Sequence, residues 1–440
     1  MSRSFARFRW NAGTAVRYRL FCTGCGVLLA CWGSSLILCL NTKATRDTDF
    51  SKLRSHTSFD QSSRGNIDVQ ELLPSGLAVP ANAVSARLTI NPDVNAWFSS
   101  EVNRSLVKLE RDSLSVEEDA SPDSIQVNAV LVDADSRIRV IYSNSERTYF
   151  GASRLPLAST AKIFVAVGLG NYDISSARYC VPRTFTSWLT VDAARSASCP
   201  PKARTVSANM AFAKSMPAPL LWRSHQVLTD EFLSHVLLKL GMRSDASGSL
   251  KNAAIMGALQ ARPIEMHRAV QAITLALAGS TKNARLPMLI DAVRTDDRNG
   301  NVQDIAVFSP AIPRDSYLSI LTPSVTAYLR DVLYAPITSG TLKSLSDMNL
   351  SELGIGFLWG KTGTYAIRGK TLDAWIVGGV SINGAPYSWL FLIRSTDENH
   401  SFGNTNAASF APIARLLIQA AIRDSSSSGA ADPIVLPIGR

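Results

Sequence analysis

The chain has no acidic residue among its first nineteen positions, no pair of C-x-x-C motifs suited to zinc, no glycine-rich phosphate loop, and only five histidines, at 56, 225, 235, 267 and 400. No two of the histidines stand at the helical spacing of a metal site, so each reads as structural and no metal is implied. No internal repeat is visible. Nucleic-acid binding is not indicated either. The formal charge is +10, but five arginines (Arg3, Arg7, Arg9, Arg17 and Arg19) precede an apolar stretch, and without them 40 basic residues face 35 acidic ones.

That apolar stretch, Leu20 to Leu40, runs 21 residues without a charge. It is long enough to cross a bilayer as one helix, and the arginines before it (residues 1–19) hold its amino end in the cytoplasm. A cleaved signal peptide has a shorter apolar core and a small-residue exit site. "LLAC" at Leu28 to Cys31 resembles a lipoprotein processing site, although the run continues beyond it through "WGSSLILCL". The expectation is a retained single-pass anchor over 20–40 with the remainder of the chain outside. Cys22, Cys25, Cys31 and Cys39 fall within the anchor, where thiols act as small apolar groups. Cys180 and Cys199 lie on the exported side with 18 residues between them. Either they are two free thiols or, in an oxidising compartment, they form a disulfide contributing on the order of 3 kcal/mol by loop entropy.

Residues 41–84 are rich in Ser, Thr, Arg, Asp and Asn and cannot build a core, so they read as a flexible stalk. Residues 85–423 suffice for one large domain with a second lobe, and 424–440 for a tail. Within the domain, Ile125 to Ala134 and Arg137 to Asn144 are β-branched runs split by a short polar turn, which predicts a hairpin. "AWIVGGVSI" and "YSWLFLIR" repeat the pattern around Asn383-Gly384, a strong turn signal. Ala411 to Ile422 has the 3.6 period of a helix, and Ala203 to Gly279 reads as mostly helical, with Pro263 starting its last helix and Gly279 stopping it. Strands, a helical insertion and strands again predict an α+β fold: an antiparallel sheet with covering helices and an all-helical lobe.

"RLPLASTAKIFVAVGLG", Arg154 to Gly170, is apolar or small almost throughout yet carries Ser159 and Lys162 three residues apart. On a helix such residues face the same way. Pro156 precedes the pair and an apolar helix follows it, which puts Ser159 at a helix amino end where free N–H groups favour an oxyanion and disfavour an ammonium. Burial disfavours the ammonium further, so Lys162 can become neutral enough to take the serine proton. The alternative is a capping serine and a lysine snorkelling to solvent. A second Ser-x-x-Lys, Ser105 and Lys108, sits in a polar segment where both groups are expected to be solvated. Far along the chain, Lys361-Thr362-Gly363-Thr364 stands just before a predicted strand. Glycine there lets a ligand backbone approach, two hydroxyls offer hydrogen bonds, and the lysine offers charge to a carboxylate.

Ser159-Thr160-Ala161-Lys162 together with Lys361-Thr362-Gly363-Thr364 resembles the motif set of penicillin-binding proteins. The surroundings are similar to the transpeptidase domain of the class A (bifunctional) members: "DAWIVG" after the second motif, "ARLTINPDVNAWFSSEV", "RPIEMHRAVQAIT", "GTLKSL" and "NAASFAPIARLL". Two departures stand out. The 41–84 stalk leaves no room for the glycosyltransferase domain of class A members. The family's middle motif, Ser-x-Asn, has literal matches at Ser207-Ala208-Asn209 and Ser381-Ile382-Asn383, but "VSANMAFAKSMPAPLL" resembles the family helix with Ser215 as the motif serine and Pro217 in place of the asparagine. Ser207 is then only a helix cap.

The resemblance implies the serine β-lactamase-like transpeptidase fold and a peptidoglycan D,D-transpeptidase of the bacterial inner membrane, facing the periplasm and without a cofactor. Ser159 would be the nucleophile, Lys162 the base and Ser215 the proton relay; Lys361, Thr362, Gly363 and Thr364 would bind the terminal carboxylate of a stem peptide or a β-lactam. Its partners would be peptidoglycan stem peptides, β-lactam antibiotics and a separate glycan polymerase. A catalytically impaired scaffold or sensor, a D,D-carboxypeptidase and a β-lactamase are the alternatives.

Overall fold

A computed structural model of the chain describes residues 83–113, 125–143, 154–181, 199, 203–243, 248–296, 302–307, 309–348, 352–367, 370–395, 405–427 and 435–437. The predicted cytoplasmic segment, the anchor with its four cysteines and the stalk up to residue 82 lie outside them. Among the described residues no helix is long and apolar enough to cross a membrane.

Strand β1 (Ala83–Leu88) begins two residues before the expected domain start. Helix α1 (Pro92–Ser113) follows, with the Asn91 side chain accepting from the Val94 N–H at its start. Val94, Phe98, Val102 and Leu106 are buried, so the helix is amphipathic, while Lys108 is exposed and Ser105 half-buried. The second Ser-x-x-Lys is therefore a surface feature. The first predicted hairpin is β2 (Ile125–Val132) and β3 (Ile138–Ser143). Its turn is closed by Asp133, whose carboxylate accepts from the backbone N–H groups of Asp135 (2.8 Å) and Arg137 (3.0 Å).

The short strand β4 (Leu155–Pro156) leads through a 3-10 turn (Ala158–Ala161) into α2 (Lys162–Leu169). Strands β5 (Arg178–Val181) and β6 (Arg204–Ser207) pair, and Cys180 and Cys199 are joined as a disulfide with Cα atoms 5.6 Å apart. Then come α3 (Ala208–Ala213), α4 (Pro217–Val227), α5 (Asp230–Lys239) and α6 (Leu250–Met256), which build the helical lobe around α2. A short β7 (Gln260–Ala261) pairs with β4 and precedes α7 (Pro263–Leu277). Next in order are β8 (Ala284–Arg285), β9 (Ile290–Asp296), β10 (Val302–Ala306), β11 (Ala311–Ile312), α8 (Arg314–Leu318) and α9 (Pro323–Ser339). The chain closes with β12 (Ile355–Ile367), β13 (Lys370–Ile382), β14 (Ala385–Ser395), α10 (Ala411–Ser426) and β15 (Val435–Pro437).

The main sheet is antiparallel in the order β12-β13-β14-β2-β3. Alternate residues serve its two faces, as the pleat requires. Val130, Val132, Trp375, Val377, Leu390 and Leu392 pack toward α7 and the helical lobe, whereas Val127, Ala129, Leu131, Ile376, Phe391 and Ile393 pack toward α1 and α10. Asn383 and Gly384 make the β13–β14 turn with φ of 49° and 83°, the left-handed pair that a two-residue hairpin needs. A second, smaller sheet has the order β10-β9-β1-β15. The last segment thus differs from the expected tail: α10 runs to Ser426, and residues 435–437 add a strand to β1.

Candidate active site

The three motifs converge where the helical lobe meets the edge of the main sheet. Lys361, Thr362, Gly363 and Thr364 lie inside edge strand β12, paired with Val377, Ile376, Trp375 and Ala374 of β13, rather than before a strand as the sequence suggested. The difference follows from β13, whose pairing carries β12 straight through the motif. Ser159 also differs in detail. It sits in the 3-10 turn just ahead of α2, whose first residue is Lys162. The α-helix cannot start earlier, because Ala158 has a φ of 49° and its N–H is bonded to Gly257 O (3.1 Å). A non-glycine residue held in that region costs on the order of 1–3 kcal/mol and marks a locally over-determined backbone.

Glycines hold this turn against its neighbours. A Cβ on Gly363 would come within 2.9 Å of both Leu157 O and Thr160 N, and one on Gly257 within 2.7 Å of Ala158 Cα. Backbone atoms cannot yield as a side chain could, so the strand and the turn approach this closely only with glycine at position 363. The second strained residue is Ser215, with a φ of 52°, in the bend between α3 and α4. Of the three candidate serines of the middle motif, Ser207 accepts from the Met210 N–H (3.2 Å) and caps α3, Ser381 lies in β13, and Ser215 stands beside Lys162 and Lys361. Met216 and Pro217 follow, with Pro217 the first residue of α4, where its missing N–H costs the helix nothing.

A continuous run of polar contacts results. Lys162 Nζ lies 2.6 Å from Ser159 Oγ and 3.3 Å from Ser215 Oγ; Lys361 Nζ lies 3.0 Å from Ser215 Oγ and donates to the Thr362 carbonyl (2.8 Å). Both lysines are out of solvent, at 3% and 0% exposure. Burial pulls the Lys162 amine down from 10.5 to about 7. Lys361 is also held well below its usual value, first by burial and then by the charge on Lys162. No carboxylate contributes to either shift, so the site favours losing protons over holding two ammonium groups.

Two contacts at the site involve residues to which the sequence gave no role. The Thr362 hydroxyl donates to Thr341 Oγ1 (2.8 Å), and Thr364 Oγ1 accepts from the Ala407 N–H (2.9 Å). Both belong to stretches quoted above for their resemblance, "GTLKSL" and "NAASFAPIARLL", and nothing local marks them as neighbours of β12. Behind the site, α4 is fixed by the Arg223 guanidinium, which donates through Nε to Asp173 (3.0 Å). Asp173 in turn accepts from the Tyr179 hydroxyl (2.9 Å), itself 2.9 Å from the Tyr328 hydroxyl of α9. Tyr179 adjoins the disulfide residue Cys180.

No family model and no curated protein matches the chain. Solved structures do. The chain is similar to PBPA from Mycobacterium tuberculosis (TM-score 0.51, 15% identity, covering 77% of this chain and 82% of that one). It is similar to PonA1 of the same organism in complex with penicillin V (TM-score 0.52, 16% identity, 83% and 90%). A third is the D,D-transpeptidase domain of a peptidoglycan glycosyltransferase from Eggerthella lenta (TM-score 0.54, 14% identity, 87% and 92%). The fold is thus that of the transpeptidase domain of penicillin-binding proteins.

Proposed function

We propose that the protein is a membrane-anchored, periplasm-facing peptidoglycan D,D-transpeptidase that works through an acyl-serine intermediate and is acylated by β-lactams. The observation that carries this reading is the contact run Ser159–Lys162–Ser215–Lys361 with both amines depressed by burial. A neutral Lys162 accepts the Ser159 proton as Oγ attacks the carbonyl between two terminal D-alanines. The oxyanion would be received by the N–H groups of Ser159 and Thr364, which belong to the abutting turn and strand. As the tetrahedral adduct collapses, the proton on Lys162 passes through Ser215 to the departing D-alanine nitrogen. The amine of a second stem peptide then attacks the acyl-serine, returns the proton along the same route and leaves a cross-link.

Lys361, Thr362 and Thr364 would hold the substrate's terminal carboxylate, whose negative charge restores the proton on Lys361 that burial disfavours. The disulfide fits an exported domain. Its partner in wall synthesis would be a separate enzyme that polymerises the glycan strands.

Pro217 favours one second reading, a scaffold or sensor. Proline offers no amide side chain to a substrate backbone, so the groove lacks a hydrogen-bonding group that the Ser-x-Asn pattern would supply. Labelling with a fluorescent penicillin decides between the two. Transpeptidase chemistry requires a covalent adduct that disappears in Ser159→Ala; no adduct in the wild type supports the scaffold. Incubation with a pentapeptide and an acceptor amine then sorts transfer from hydrolysis.

A further inference from the structure

A cavity of about 290 Å³ opens between β1, β3 and β9, with Arg87, Thr89, Asn91, Arg137, Arg139 and Asp291 on its wall. It shares no residue with the Ser159 groove. Two of its three guanidinium groups meet one carboxylate there, and the third, that of Arg139, meets Asp424. Arg87 Nε donates to Asp291 Oδ1 (2.7 Å), and Arg137 Nε lies 3.6 Å from Oδ2 of the same carboxylate. Among the described residues the Arg87 side chain makes no hydrogen bond beyond Nε, and the Arg137 side chain makes none, its one partner being the Asp291 carboxylate at ion-pair distance. Both are about two-fifths exposed.

Arg139 is different, because it is locked. Its guanidinium donates to Asp424 through Nε (3.1 Å) and Nη2 (3.0 Å) and to Thr89 O through Nη1 (3.0 Å). Asp424 is fixed in its turn by Asn91 Nδ2 (2.9 Å) and the Tyr387 hydroxyl (3.1 Å). The floor of the cavity is therefore rigid and satisfied, while the two guanidinium groups beside it keep unspent donors.

We propose that this cavity is a binding site for a phosphomonoester, with Arg87 and Arg137 as the groups that grip the phosphate. Asp424 neutralises Arg139 and Asp291 sits between Arg87 and Arg137, which leaves one positive charge in excess, and the donors left over on Arg87 and Arg137 outnumber the two oxygens of a carboxylate but suit the three terminal oxygens of a phosphate. Planar guanidinium groups present paired donors that match phosphate oxygens. The volume exceeds that of a bare phosphate and leaves room for a small organic substituent on it.

The test titrates the full chain in detergent with glycerol 3-phosphate by calorimetry at constant ionic strength, with acetate as the control anion. Saturable binding is expected for glycerol 3-phosphate and not for acetate. Arg137→Gln, which removes a side chain with no hydrogen bond to lose, should weaken binding about tenfold at unchanged melting temperature. Arg87→Gln should weaken binding by a similar factor, with a small loss of melting temperature because its bond to Asp291 goes as well. Inorganic phosphate and vesicles carrying phosphatidic acid separate the sources: tight binding by the free anion marks a soluble ligand, and binding confined to the vesicles marks a lipid headgroup. No saturable binding to any of the three phosphate probes, equal binding of acetate, or wild-type affinity in both variants overturns the proposal.

Discussion

Acidification should switch off acylation of Ser159, because the proposed base is a buried amine with a pKa of about 7. A lysine at its usual 10.5 would be the free base in only about three molecules per ten thousand at neutral pH; at about 7, about half are. Burial thus raises the fraction of competent enzyme by about three orders of magnitude, equivalent to roughly 4–5 kcal/mol between the protonation states. The assay is the second-order rate of labelling by a fluorescent penicillin, followed from pH 5 to 9. The rate should climb about tenfold per pH unit up to about pH 6 and bend over near 7. A profile flat across that range, or one still climbing past pH 9 as an unshifted lysine demands, would refute the assignment of Lys162 as base.

Three further outcomes are expected. Lys162→Met should abolish labelling yet raise the melting temperature by several degrees at pH 7. The amine is depressed in the folded state, so the unfolded chain binds more protons and the wild type bears a penalty on the order of 4 kcal/mol. That penalty is complete below about pH 7 and fades toward 10.5, so the gap between variant and wild type, measured by scanning fluorimetry, should narrow on going alkaline. Gly363→Ala should cost about 1–3 kcal/mol in chemical denaturation and slow labelling at least about tenfold, since the new methyl meets backbone at 2.9 Å. An unaffected rate would show that the tight strand–turn contact is dispensable. Pro217→Asn should speed acylation; if kinetics do not change, Ser215 is not the serine of a Ser-x-Asn motif.

Local patterns disclosed a good deal. The hairpins at Ile125 to Asn144 and around Asn383-Gly384 announce themselves by alternation and turn chemistry, which act over a few residues. Ser159 and Lys162 share one face at close spacing, so their partnership is visible even though the backbone between them is a 3-10 turn rather than an α-helix. The strand after the Lys361 motif that alternation predicts is β13; β12, which carries Lys361 itself, escapes the sequence because it depends on pairing with β13, and pairing between strands is weakly written in either one alone. Likewise nothing local marks a strand in the tail: residues 435–437 pair with β1 at the other end of the domain.

By itself, then, the amino-acid order determined which short motifs exist and where the two hairpins and the amphipathic helices lie, because those follow from spacing and neighbouring residues. It could name Lys361 but not bring it within 3.0 Å of Ser215. Nor could it find Thr341 and Ala407 beside β12. Above all, two lysines without a carboxylate partner become bases only if packing strips water from them, and water is excluded by the fold as a whole. That exclusion, the origin of the depressed amines at positions 162 and 361, was decided by tertiary structure alone.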